Sequence, residues 1–78
     1  MKTLKEFVEL FAEQFDALPE EEISASTVFH DLDEYSSLTA LSIISMIDEE
    51  FEVTIKGDDL KKAVTVEDLY NTVKSKLQ

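Results

Sequence analysis

The sequence predicts an all-α fold: a small four-helix bundle of three long helices and one short one, with a long loop between the first two. Three observations carry that prediction. The 78 residues include one Gly and one Pro, so long regular segments are expected rather than many tight turns. No Asn-Gly or Asp-Gly dipeptide marks a β-hairpin, and strand-like alternation is scarce. Apolar residues return at helical spacing in three separate stretches, and a 44% apolar content is enough for a folded core. A chain this short buries only about 60% of its unfolded surface, which limits it to one domain over residues 1–78 and excludes a deep two-lobed cleft.

The first helix is expected to begin at Thr3, because Thr3 with Glu6 fits a capping box. Leu4, Phe7, Val8, Phe11, Phe15 and Leu18 then fall on one stripe about 100° wide, and Pro19 lies just past the helix end. Residues 19–36 form the long connection. Its Ile23, Val28, Phe29 and Leu32 suggest that it is pinned to the core. The second helix is expected from about Ser37 to Phe51, with Ser36 or Ser37 as its N-cap. Ile43, Ile44, Ile47 and Phe51 form its buried side. Ser42, Ser45 and Glu49 form the opposite side with Leu38 among them, Leu41 and Asp48 lie on the border, and Met46 is a candidate to pack on the loop. Gly57 precedes a short helical turn. Thr65 with Asp68 makes a second capping box, of the acidic kind, ahead of a last stripe of Val66, Leu69, Tyr70, Val73 and Leu77.

Charge narrows the function classes. Seven Lys, no Arg and eighteen acids give a net charge of −11. A phosphate backbone would be repelled, so nucleic acid is not an expected partner, and anionic membrane surfaces are disfavoured for the same reason. The acids are unevenly spread: residues 1–55 hold fourteen acids and two lysines, residues 56–78 four acids and five lysines. That asymmetry suits solubility, and it also suits an anionic face for basic partners. The absence of Cys excludes disulfides and thiolate metal sites. No apolar run reaches a membrane span and Met1 to Glu6 lacks a signal-peptide core, so a cytoplasmic monomer without membrane insertion is the expectation.

Catalytic chemistry finds little support. A nucleophile needs a positioned base, and His30 is the only histidine; a pair with Ser37 is disfavoured against a capping serine and a packed loop histidine. Asp31 to Ser36 starts like a calcium loop, but Ser36 stands where Gly is needed and Ser42 where a bidentate Glu is needed, so no metal is expected. What remains is a serine at a helix start. Unpaired N–H groups and a partial positive charge make that position tolerant of a phosphodiester, although simple capping explains it as well.

Phe29-x-Asp31-Leu32, Ser37-Leu38 and Asp48-Glu49-Glu50-Phe51 together resemble the acyl carrier protein family, whose modified serine sits in an Asp-Ser-Leu motif at the start of its second helix. The fourteen-residue step from Ser37 to Phe51 fits Ser37, and not Ser36, as the modified residue. Length, acidity, helix order, the long first loop and the Val64-Thr65-Val66-x-Asp68-Leu69 entry to the last helix extend the resemblance over nearly the whole chain. It implies that a phosphopantetheinyl transferase moves 4′-phosphopantetheine from coenzyme A onto Ser37. The arm's thiol then carries acyl groups as thioesters, and the protein is a shuttle rather than an enzyme. By the same resemblance Ile43, Ile47, Phe51 and Ile55 line a cavity for the acyl chain. Basic-surfaced acyl-transferring or condensing enzymes are then expected to dock on Ser36, Leu38, Leu41, Asp48 and Glu49.

The chain departs from the family pattern at three places. Ser36 replaces the usual Asp before the modified serine, and Thr39 and Ser42 stand where many relatives carry acids. Loss of those carboxylates points to a specialised carrier with its own partner set. The alternative is an acidic helical adaptor that keeps the fold without the arm.

Overall fold

Thr3 does begin the first helix. The structure is a computed structural model that describes residues 2–15 and 22–77. Helix α1 spans Leu4–Ala12; the Glu6 amide donates to Thr3 Oγ1 at 3.2 Å and the Thr3 amide donates to Glu6 Oε1 at 3.1 Å, which closes the box expected from the sequence. The helix stops before Phe15. The Gln14 and Phe15 amides bond three residues back, to Phe11 and Ala12, and the Gln14 side chain donates to the Leu10 carbonyl at 3.0 Å. Phe15 is nonetheless buried, because a tightened last turn still delivers it to the core. Leu18 and Pro19 lie outside the described residues.

Helix α2 spans Ser37–Phe51, α3 Gly57–Lys62 and α4 Val66–Leu77, with a 3₁₀ turn at Phe29–Asp31 inside the long connection. Helix α1 packs on α2 and α4, and α3 packs on α4. All five phenylalanines are buried. Four of their rings form a continuous path that ends on Tyr35: Phe51 to Phe7 at 5.5 Å, Phe7 to Phe11 at 6.3 Å, Phe11 to Phe29 at 5.3 Å, and Phe29 to Tyr35 at 5.3 Å. The path runs from the end of α2 through α1 to the loop just before Ser36.

The connection is tied to the core as expected, though by different means at different residues. Ile23 and Phe29 are buried and Leu32 is half-buried. Val28 is exposed, contrary to expectation, and its backbone makes the anchor by bridging antiparallel to Thr65. The four N–H groups that open α4 are all satisfied. Val66 donates to the Thr27 carbonyl, Glu67 to the Ala25 carbonyl, Asp68 to Thr65 Oγ1 and Leu69 to the Thr65 carbonyl. Leu77, assigned to the buried stripe, is 43% exposed in the last turn, where a helix end outruns the core.

The carboxylate caps make stability depend on acid. The Thr65 amide, then the Val64 amide, holds the Asp68 carboxyl below the ordinary range; the Lys56 amide, at 2.9 Å, and more weakly the Lys76 ammonium do the same for Asp59. A depressed folded pKa means a contribution present above the unfolded value near 3.8 and lost as pH falls through the folded value. Asp59→Asn with Asp68→Asn is therefore expected to lower the urea midpoint at pH 7, with the gap to the wild type closing as pH falls below the ordinary carboxylate range. A gap that stays constant with pH would show that the charges contribute nothing.

Helix α2 ends on Glu52 in the left-handed conformation, φ 56° and ψ 36°, a position that favours Gly. Glu52→Gly is expected to stabilise the protein by about 0.5–1 kcal/mol, raising the melting temperature by roughly 4 °C.

Candidate functional site

The start of α2 is built by a closed set of hydrogen bonds. Ser36 takes extended dihedrals, φ −140° and ψ 175°, and is the N-cap. Its Oγ accepts from the Thr39 amide at 3.3 Å. The Thr39 hydroxyl donates to the Glu34 carbonyl at 3.1 Å, which spends its one proton. The 3.2 Å contact between the two hydroxyls is therefore Ser36 donating to Thr39. Ser36 thus both caps the helix and locks the turn before it, which assigns the cap between the two serines that the sequence left open.

Ser37 is the first residue of the helix and is exposed. Among the described residues no hydrogen bond engages its hydroxyl. The charges along α2 run against its dipole: no acid lies in the first turn, and Asp48, Glu49 and Glu50 lie in the last. In α3 and α4 the order is the stabilising one, acids first and lysines last. Among the described residues one ion pair, Lys2–Glu50 at 3.7 Å, offsets the excess at the α2 end. The positive end of the 15-residue helix is left open beside Ser37, and an anionic group bonded to that oxygen fits there.

A groove of about 710 Å³ opens between the start of α2 and α3. Ser37, Ala40 and Ile44 line one wall, Leu60 and Lys61 the other, and Tyr35 lies among them. Burial pushes the Tyr35 hydroxyl above the ordinary phenol range. His30 also lines the groove, but its Nε2 lies 2.9 Å from both the Leu60 and the Ala63 carbonyl oxygens. Two carbonyls can only accept, so Nε2 carries a proton and donates to both. His30 clamps the loop to the end of α3.

The residues expected to line an acyl cavity are packed as core in the protein without an arm. Ile43, Ile47, Phe51 and Ile55 are all in the closed core, and the groove beside Ser37 takes Ala40 and Ile44 instead. These two lie three and seven residues past Ser37, so they share its helical face, a signal present in the sequence. The contribution of α3 carried no local signal. Of the expected docking residues, Leu38 and Leu41 are 75% and 62% exposed. They line a second depression with Met46, Glu49 and Glu50 of α2 and Glu13, and Leu41 also borders the groove beside Ser37. Asp48 is exposed but outside that depression, and Ser36 faces the groove. Among the described residues no cluster of His, Cys, Asp or Glu is arranged to hold a metal, and no helix is long and apolar enough to cross a membrane.

A helix-starting serine with an unengaged hydroxyl, beside an apolar groove in an acidic helical bundle, is the kind of site that carries a tethered group. The phosphopantetheine attachment site family matches residues 5–73, and the chain belongs to that family. The family is defined by a covalently attached 4′-phosphopantetheine, so the chain is a phosphopantetheine-carrying carrier protein. Such domains are generally non-catalytic carriers, met by a phosphopantetheinyl transferase and by acyl-handling enzymes. Among curated proteins and among solved structures nothing matches the chain.

Proposed function

We infer that Ser37 is the attachment residue and that the protein shuttles acyl intermediates, as thioesters on the arm, between enzymes of fatty acid, polyketide or related specialised biosynthesis. The observation that carries this reading is the division of labour between the two serines. Ser36 is consumed by the cap, while Ser37 presents a free hydroxyl at the positive end of α2. In the loading step a transferase directs Ser37 Oγ onto the β-phosphorus of coenzyme A. The Oγ–P bond forms, the pyrophosphate P–O bond breaks, adenosine 3′,5′-bisphosphate leaves, and the hydroxyl proton passes to a base of the transferase. A cytoplasmic location belongs to the same reading, since coenzyme A is the source of the arm.

Partners dock on α2 in this reading. Leu38 and Leu41 offer apolar contact, and Asp48 and Glu49 offer charge that speeds encounter with a basic surface without fixing a long-lived complex. Acids placed against the helix dipole weaken α2 slightly, and a partner's basic residues offset that cost when they arrive. Ser36 in place of Asp removes one carboxylate from this face, which supports a dedicated transferase and partner set rather than a general one. Ile43, Ile47, Phe51 and Ile55 are the core residues that an acyl chain entering past the groove would displace.

The test is intact mass after incubation with coenzyme A and several transferases, with the adduct located by peptide fragmentation. Addition of one phosphopantetheinyl group at Ser37 supports the carrier. No addition with any transferase favours the unmodified adaptor, and addition at another residue overturns the assignment of Ser37.

A further inference from the structure

Once a phosphodiester sits on Ser37, its charge needs a partner in a chain that already carries −11. Helix α2 has no Lys or Arg anywhere in Ser37–Phe51. The groove beside Ser37 has one side chain of fixed positive charge on its lining, Lys61 of α3. The other basic group there, His30, already donates Nε2–H to two carbonyls of the α3 end. The ion pairs among the described residues are Lys2–Glu50 and Lys76–Asp59, and Lys61 takes part in neither. Its nearest helical neighbour of opposite sign, Asp58 three residues earlier, is not within ion-pair distance. Among the described residues, then, an exposed ammonium with no carboxylate partner shares a groove with the hydroxyl that receives the arm.

We propose that Lys61 is a positioning residue for the tethered arm: its ammonium pairs with the phosphodiester on Ser37 and holds the first part of the arm along the groove between α2 and α3. The inference rests on Ser37 being the attachment residue. The pair crosses between two helices, so it ties the start of α2 to α3 only in the loaded protein. It is exposed to water, so its effect is modest and sensitive to salt.

The experiment uses loaded protein whose intact mass and fragment spectrum show one arm at Ser37, next to the unloaded form. Failure of attachment at Ser37 is thus seen before any lysine is read, separately from failure of the Lys61 pairing. Each lysine is labelled with an amine-reactive ester and its rate followed by peptide mapping. Lys61 is expected to label about threefold more slowly in the loaded protein, while Lys5 and Lys74 are unchanged, and the protection is expected to fade in 1 M salt. In parallel, the ³¹P resonance of the arm is expected to shift in Lys61→Gln and to return toward the wild-type position in Lys61→Arg. Equal labelling of Lys61 in both forms overturns the proposal. So does protection that survives 1 M salt with a ³¹P resonance indifferent to Lys61→Gln, since that pattern is steric cover by the arm.

Discussion

Ser37→Ala is expected to abolish attachment of the arm and to leave stability within about 0.5 kcal/mol of the wild type, whereas Ser36→Ala is expected to keep attachment and to lower stability by about 1 kcal/mol. The two serines are adjacent, yet their side chains meet different surroundings. Ser37 Oγ is exposed and makes no hydrogen bond among the described residues, so its removal breaks nothing in the fold, and Ala is the better residue inside a helix. Ser36 Oγ accepts from the Thr39 amide and donates to the Thr39 hydroxyl, and its loss leaves an N–H in the first turn of α2 with only water as partner. Intact mass and a urea titration on the same two variants read the two effects independently. Attachment that persists in Ser37→Ala and disappears in Ser36→Ala would reverse the roles of the two residues and remove the basis for the carrier site as drawn.

The boundaries that local chemistry sets were legible in the sequence, and those that tertiary contacts set were not. Thr3 with Glu6 and Thr65 with Asp68 are capping boxes whose partners lie three residues apart, so a one-dimensional reading reaches them. The span of α2 was legible for the same reason. Which serine caps it was not, because both can, and the choice is made by the extended backbone of Ser36 and by the onward bond from Thr39 to Glu34. The end of α1 was misplaced because an apolar stripe continues to Phe15 whether the last turn is a helix or a tighter bend, and the side chain reaches the core either way. Val28 reads as a core residue from its type, but its value to the fold lies in its backbone bridge to Thr65, which no side-chain pattern announces. The candidate site divides along the same line. Ser37, Ala40 and Ile44 share one helical face and are readable by counting. Leu60, Lys61 and the His30 clamp come to that face from other elements, His30 meeting carbonyls thirty and thirty-three residues away, and only the assembled bundle shows them.

Phe7→Ala is expected to cost about 3–5 kcal/mol, the largest stability effect of any single change considered for this chain. Phe7 is fully buried, and its ring lies 6.3 Å from Phe11, 5.5 Å from Phe51 and 5.4 Å from Tyr70. It therefore joins α1 to the end of α2 and to α4, and the cavity left by truncation borders three helices, none of which can close it by moving alone. Tyr70 is also fixed by its hydroxyl, which donates to the Lys2 carbonyl at 2.8 Å, so the ring beside Phe7 has little freedom to fill the space. A domain of this length has a total stability of roughly 4–12 kcal/mol, so the loss takes a large share of it and lowers the melting temperature by about 15–30 °C. Leu38→Ala is the contrasting control. Its side chain is 75% exposed, and the expected change is within about 0.5 kcal/mol although the residue is apolar. Urea denaturation of both variants separates an apolar residue that holds the bundle together from one left outside it. A Phe7→Ala loss below about 2 kcal/mol would mean that the aromatic path from α2 through α1 to the Ser36 turn does not hold the helices as described.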